Sequence, residues 1–180
     1  MQLFKAYRPF LIFLAKFFGT YALLTVLYTV YLRPYEFRGS VDPVTFAVAR
    51  QSQGAIGMMG ANSQVIPEPG KPWVRLTYYN RYVARIVEGC NAVSVMILFA
   101  SFVVAFAGKF IATGLFILGG VIVIYLLNIV RIALLCAALF YWPDQEHLLH
   151  GVVFPLAIYS VVFLLWVVWV NKFSNHARRR

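Results

Sequence analysis

The chain has 180 residues, of which 62% are hydrophobic and 12% are charged, about half the charged share of an ordinary soluble domain. A soluble globule of this length could not bury so much apolar surface, and a disordered chain would not carry it. Composition therefore indicates an integral membrane protein with a single bundle. Lysine and arginine number 16 against 6 acidic residues. Because they lie mainly between and beyond the apolar runs, they indicate contact with anionic lipid rather than nucleic acid.

Four segments are apolar enough to cross a bilayer, which takes about 20 mainly apolar residues per helix. They are residues 10–32, 89–107, 110–142 and 151–170. The connection between the second and third segments is so short that the two should form a helical hairpin. The predicted fold class is an all-α integral membrane protein with about four transmembrane helices, organised as one membrane domain over residues 1–180.

The only sizeable polar part of the chain is residues 33–88, which we predict to be one long extracytoplasmic loop. Its glycine-rich middle, residues 54–60, predicts flexibility, and the proline-rich residues 67–72 disfavour regular structure. Aromatic and basic residues alternate over residues 73–82. Two interpretations of that stretch stay open: it lies at the level of the lipid headgroups, or it extends the second transmembrane helix.

Four spans place both termini on one side of the membrane. Basic residues flank the spans on that side at Lys5, Arg8, Lys16, Lys109, Lys172, Arg178, Arg179 and Arg180. By the positive-inside rule this side is cytoplasmic. The long loop is also basic, but long loops are translocated with less regard to their charge.

This topology brings reactive side chains from distant parts of the chain to one membrane face. Cys90 begins the second span, and His147 and His150 precede the fourth. Arg131 lies about 20 residues into the third span, roughly 30 Å along a helix and so at its outer end. A thiol, an imidazole and a guanidinium supply the nucleophile, the proton carrier and the oxyanion donor of acyl transfer. Packing, solvation and contact with headgroups are the structural alternatives for the same residues.

Neighbouring residues could support this chemistry. Glu88, two residues before Cys90, could orient a histidine or arginine, or could only favour the helix N-terminus through the helix dipole. Asn128, three residues before Arg131, lies on the same helical face and can hold the guanidinium through its side-chain oxygen. Cys136 lies off that face, so we interpret it as a packing residue.

At these residues the chain resembles the exosortase/archaeosortase family of membrane transpeptidases, most closely the short exosortase F branch. The similar segments are Val-Glu-Gly-Cys-Asn-Ala at 87–92, Asn-Ile-Val-Arg-Ile at 128–132 and His-Leu-Leu-His-Gly at 147–151. The resemblance covers about residues 85–172 and is weaker before them. One difference follows the cysteine, where the common Cys-Ser-Gly of the family is replaced by Cys90-Asn91-Ala92.

The resemblance implies a membrane-embedded cysteine protease or transpeptidase that cleaves C-terminal sorting signals of secreted proteins through a thioester at Cys90. Arg131 would stabilise the oxyanion. The family spacing His-x-x-x-Gly selects His147 as general acid and base, through Gly151, with His150 as its rival. The implied partners are the lipid bilayer and secreted proteins that end in a short motif, a transmembrane helix and a basic tail. No nucleic acid is expected as a partner.

The implied location is a bacterial inner (cytoplasmic) membrane, crossed several times, with the active site near the extracytoplasmic face. The sequence contains no metal-binding, phosphate-loop or nucleotide-binding motif, so no cofactor is expected. Two alternatives remain. One is a non-enzymatic polytopic scaffold or assembly subunit. The other is a serine-type intramembrane protease, for which Ser94 and Ser101 lack the Gly-x-Ser-x-Gly setting.

Overall fold

The structure is a computed structural model that describes residues 2–106 and 108–173. Residue 107, at the end of the predicted second span, lies outside the described residues. So do Arg178, Arg179 and Arg180 of the basic tail, and the side chain of Lys5.

The fold is mainly helical, at 77% of the structure, with one small sheet among the described residues. In chain order the elements are α1 (Gln2–Arg38), α2 (Pro43–Met58), β1 (Val65–Pro67), β2 (Trp73–Tyr78), β3 (Arg81–Val87), α3 (Val93–Ala105), α4 (Phe110–Tyr141), α5 (Glu146–Leu148) and α6 (Phe154–Val168). A 3₁₀ turn, Glu88–Cys90, joins β3 to α3, and π-helical turns at Leu149–Val153 and Trp169–Phe173 flank α6.

Three helical segments in the described parts of the chain are long and apolar enough to cross a membrane: Tyr7–Arg38, Phe110–Tyr141 and Pro143–Phe173. They correspond to the first, third and fourth predicted spans, and they identify a membrane-embedded protein. The second predicted span is shorter than expected, because α3 has only 13 residues. That is about 20 Å of helix against about 30 Å of hydrocarbon. That the chain crosses the membrane four times therefore stays a prediction.

The first part of the predicted loop is a regular helix rather than a flexible segment. Asp42 caps α2, because its Oδ1 accepts hydrogen bonds from the N–H groups of Val44 and Thr45 at 3.0 Å each. The helix continues through the glycine-rich residues 54–57. It does so because its buried residues recur every three or four positions, an apolar stripe that outweighs a glycine cost of about 1 kcal/mol each. The stripe consists of Thr45, Val48, Ala49, Ser52 and Ile56.

The second part of the predicted loop is a three-stranded antiparallel sheet in the order β1-β2-β3. Residues 73–78 form β2, so this stretch does not extend the second transmembrane helix. Tyr79 and Asn80 have φ values of 47° and 61°, which suits a two-residue type I′ turn. On β2, the Arg75 guanidinium pairs with Glu68 and holds the pKa of that exposed carboxyl below its usual value. The sheet is the part of the fold that an all-α prediction omits.

Two hydrophobic cores meet at the Cys90 segment. The first joins α2 and the sheet to the C-terminal half of α4, and it includes Val48, Ile56, Val74, Leu76, Ile86, Ile132 and Cys136. The second joins α3 and α6 to the N-terminal half of α4, and it includes Phe99, Val103, Ile124, Val162 and Trp169. Cys90 packs against the first core and Ala92 belongs to the second. The turn that carries Cys90 is therefore held between two packed bodies.

A glycine brings α3 and α4 close together in the second core. A Cβ added at Gly120 of α4 would overlap the ring of Phe99 of α3. The Phe99 side chain is fully buried against the backbone of α4 at this point. The two helices thus pack side by side.

Candidate active site

One buried amide connects the backbone of Cys90 to Arg131. Cys90 is half-buried at the end of the 3₁₀ turn. Asn128, fully buried in α4, donates a hydrogen bond from Nδ2 to the Cys90 carbonyl oxygen at 2.7 Å. The Asn128 Oδ1 accepts from Nη1 of Arg131 at 3.3 Å. Asn128 therefore fixes the position of the thiol-bearing residue relative to the guanidinium.

A cavity of about 540 Å³ lies between β3 and the C-terminal half of α4, a volume typical of ligand sites. Cys90, Arg131 and His150 all line it, and so does Glu146. His147 is exposed and is not part of the lining. The structure thus brings the cysteine, the arginine and the rival histidine to one cavity.

The two histidines differ in their relation to the cavity, because His150 lines it and His147 does not. Their spacing of three residues would place them on one face of a continuous α-helix. The backbone between them is not continuous α-helix: α5 ends at Leu148, and a π-helical turn begins at Leu149.

Arg131 retains unused hydrogen-bond donors at the cavity. The side chain is half-buried, and its Nε is buried with no hydrogen-bond partner among the described residues. A guanidinium carries five N–H donors in a fixed plane, and the bond to Asn128 uses one of them. A buried unpaired donor costs about 1–3 kcal/mol. Because Nε is buried, the donors available to an oxygen in the cavity are the N–H groups of the terminal guanidinium nitrogens that Asn128 does not use.

Asn91 fixes the chain on the other side of Cys90, a role that sequence reasoning missed. The side chain is only 1% exposed. Its Nδ2 donates to Tyr28 Oη at 2.7 Å and to Thr45 Oγ1 at 3.0 Å, and its Oδ1 accepts from the Val93 N–H at 2.9 Å. It thereby ties the turn to α1, α2 and the start of α3. An asparagine beside the cysteine was visible in the sequence, but its partners lie 46 and 63 residues away.

Ala92 adopts a left-handed conformation, with φ of 62° and ψ of 10°. An L-residue pays roughly 1–2 kcal/mol there, whereas glycine does not. The position is the one at which the family that this chain resembles commonly has glycine. The chain therefore has the backbone bend that suits glycine, without the glycine.

We expect Ala92→Gly to be more stable than its matched control, Ala133→Gly, by roughly 1–2 kcal/mol. Both alanines are at most 5% exposed, so both variants lose a buried methyl group and gain unfolded-state entropy. Only position 92 also relieves left-handed strain, because Ala133 lies inside α4. Thermal unfolding in detergent micelles measures the difference. If the two variants lose the same amount of stability, Ala92 is not strained by its left-handed conformation.

Glu88 does not line the cavity. It lines a separate pocket of about 170 Å³ together with Glu36 and Asp42. No hydrogen bond among the described residues joins it to Arg131, His147 or His150, and both of its sequence interpretations stay predictions. The acidic residue that does line the cavity is Glu146, four residues before His150.

The remaining candidates do not form a second site. Ser94 is exposed, and the buried Ser101 donates from Oγ to the Ile97 carbonyl oxygen of its own helix at 2.7 Å. Neither serine lines the cavity. Cys136 is 1% exposed and packs in the first core, at the cavity wall. Within residues 2–106 and 108–173, no group of three His, Cys, Asp or Glu side chains is arranged as metal ligands.

Comparison of the chain with models of protein families, with curated proteins and with solved structures found no match.

Proposed function

We propose that this protein is a membrane-embedded cysteine protease or transpeptidase in which Cys90 is the nucleophile. One observation carries the proposal: a thiol, an imidazole and a guanidinium with unused donors line the same cavity. These are the groups that acyl transfer needs. The resemblance to the exosortase/archaeosortase family supports secreted proteins with a C-terminal sorting signal as substrates.

The proposed reaction begins when His150 accepts the proton of the Cys90 thiol. The Cys90 Sγ attacks the scissile carbonyl carbon, a C–S bond forms, and the carbonyl oxygen becomes an oxyanion that accepts hydrogen bonds from Arg131. The imidazolium then gives its proton to the leaving nitrogen as the C–N bond breaks, which leaves a thioester on Cys90.

The second half of the reaction releases the acyl group. His150 takes a proton from water or from an acceptor nucleophile, which attacks the thioester carbonyl. The C–S bond breaks, and the imidazolium returns its proton to the Cys90 sulfur. Asn128 acts throughout as a positioning residue, because it holds the Cys90 carbonyl and the Arg131 guanidinium in one arrangement.

The histidine pair tests this mechanism. We expect His150→Gln to stop processing and His147→Gln to reduce it by no more than about threefold. Glutamine keeps polarity and approximate size but does not carry a proton near neutral pH, and only His150 lines the cavity. The measurement is loss of a C-terminal tag from a co-expressed secreted protein that ends in a motif, a transmembrane helix and a basic tail. The reverse pattern would assign the role to His147. Normal processing in both variants would favour the non-enzymatic scaffold.

The proposed location is a bacterial inner membrane, with both termini in the cytoplasm and the site near the extracytoplasmic face. The basic N-terminal flank and Lys109 support this orientation. Reporter fusions after Arg180 and near Gly60 should report cytoplasmic and extracytoplasmic positions, respectively. An extracytoplasmic C-terminus would contradict the orientation.

A further inference from the structure

Strand β3 is an edge of the sheet, and it borders the cavity that contains Cys90. The strand order is β1-β2-β3, so β3 pairs with β2 on one side only among the described strands. Residues 82–87 of β3 all line the cavity. The strand then runs directly into the 3₁₀ turn that carries Cys90. An edge strand with free backbone groups is a template on which another chain can pair.

The hydrogen bonds of β2 show which backbone groups of β3 face outward. The Thr77 N–H donates to the Gln64 oxygen at 3.0 Å, and the Trp73 oxygen accepts from the Glu68 N–H at 3.2 Å. Residues 73, 75 and 77 therefore direct their backbone groups toward β1. Their partners on β3 are Val87, Arg85 and Tyr82. In an antiparallel pair, two opposite residues either exchange backbone hydrogen bonds or both point their N–H and C=O groups away from each other. The backbone groups of these three residues therefore point away from β2.

Two other features of the sheet agree with this assignment. The two-residue turn at Tyr79 and Asn80 makes Tyr78 and Arg81 the hydrogen-bonded closing pair, which leaves Tyr82 facing outward. On the opposite edge, Pro67 pairs with Val74, a residue that bonds β3 rather than β1. A proline is tolerated at such a position because its missing N–H would have faced away from the sheet.

Most of the outward groups have no partner within the described chain. Outside the β2–β3 ladder and the 3₁₀ turn, no hydrogen bond of the described residues involves the backbone of Tyr82, Arg85 or Val87. The Val87 carbonyl caps the 3₁₀ turn, so the N–H is the outward group that Val87 leaves free. Tyr82 and Arg85 are exposed, and Val87 is half-buried. The register of the β2–β3 pair shifts between Leu76 and Thr77, which leaves Val83 as an extra residue in β3. Arg85 and Val87 are therefore the regular part of the free edge, at one wall of the cavity and ending beside the proposed nucleophile.

We propose that the peptide to be cleaved binds in extended form as a fourth strand on β3. This inference rests on the proposed function and specifies how its substrate is held. Main-chain hydrogen bonds to the N–H and C=O of Arg85 and to the N–H of Val87 supply affinity, as in other cases of strand addition. Because β3 leads into the Cys90 turn, a peptide aligned with it presents a main-chain carbonyl to the thiol. Recognition then depends on the peptide backbone as well as on side chains.

A set of electrophilic peptides tests the inference on the full-length protein in detergent micelles. The parent probe is a biotinylated tetrapeptide of alternating alanine and valine with a C-terminal vinyl sulfone, which alkylates thiols. Four further probes each carry one N-methylated amide. The Arg85 carbonyl is the outward acceptor on the regular part of the edge, so one peptide N–H donates to it. We therefore expect N-methylation at one position to slow Cys90 labelling about tenfold. The other three N-methylated probes should label within about twofold of the parent.

A backbone change in β3 tests the same contact from the protein side. Arg85→Pro removes an outward N–H without removing a ladder bond to β2, and Arg85→Ala is its reference because it loses the same charge but keeps the N–H. We expect the proline variant to react with the parent probe about tenfold more slowly than the alanine variant. Iodoacetamide, which has no peptide backbone, should label Cys90 equally in both. If iodoacetamide labelling also falls, the N-methyl series alone decides.

Strand addition would be overturned if N-methylation did not change the rate of Cys90 labelling, or changed it equally at all four positions. Failure of the proposed function is distinguishable from that result. If Cys90→Ala abolishes processing while the probes show no dependence on the methylated position, the nucleophile stands and the binding mode is wrong. If Cys90→Ala processes substrate normally, the proposed function is wrong whatever the probes show.

Discussion

Replacing Cys90 with alanine is expected to abolish processing of a secreted protein that carries a C-terminal sorting signal, while the variant still folds and inserts. No other thiol in the described chain is as accessible from the cavity, because Cys136 is 1% exposed. The alanine variant keeps the backbone carbonyl to which Asn128 donates, so the turn should hold its shape. Loss of one sulfur should cost about 1 kcal/mol of unfolding free energy.

The matched control for this prediction is Cys136→Ala. It removes the other cysteine at the wall of the same cavity, but from a position packed in the first core. We expect it to lose stability, about 1 kcal/mol, and to keep processing. Loss of the C-terminal tag reports processing, and thermal unfolding in micelles reports stability. Normal processing by Cys90→Ala would end the proposal of a cysteine nucleophile.

Arg131→Lys is expected to reduce the rate of processing by about 100-fold or more, the scale of a lost oxyanion donor. Lysine keeps the positive charge but lacks the planar set of five donors. It cannot hold Asn128 and present further N–H groups to the cavity with the guanidinium geometry. Because the oxyanion exists only in the reaction, kcat should fall more than KM rises.

A matched arginine elsewhere separates chemistry from lipid contact. Arg33 is exposed near the C-terminal end of α1 and does not line the Cys90 cavity, so Arg33→Lys should retain nearly the full rate. Steady-state kinetics on membranes that contain equal amounts of each variant give the comparison. If Arg131→Lys is as active as Arg33→Lys, the arginine serves the membrane interface rather than the reaction.

The polar segment between the first two predicted spans shows why local patterns misled. Glycines at 54 and 57 predicted a flexible loop, yet they lie in α2. The buried stripe from Thr45 to Ile56 was present in the sequence, but the surface that covers it is supplied by the sheet and by α4. The composition of this segment could be read from the sequence, but the elements against which it packs could not.

The histidines illustrate the same limit at the site. Family spacing favoured His147, and nothing in the local sequence could reveal that a π-helical turn starts between the two residues. Which imidazole lines the cavity depends on how α5 and the following turn pack beside α4. The catalytic assignment itself stays a prediction for either residue until the glutamine variants are compared.

The sequence by itself determined the membrane class, the approximate position of three long apolar helices and the set of candidate reactive residues. These follow from hydropathy and residue type, which are local properties. The tertiary structure alone decided that Asn128 links Cys90 to Arg131, that Asn91 ties the turn to α1 and α2, and that an edge strand borders the cavity. Those features arise from contacts between residues tens of positions apart, and such contacts exist only once the two cores have packed around the turn.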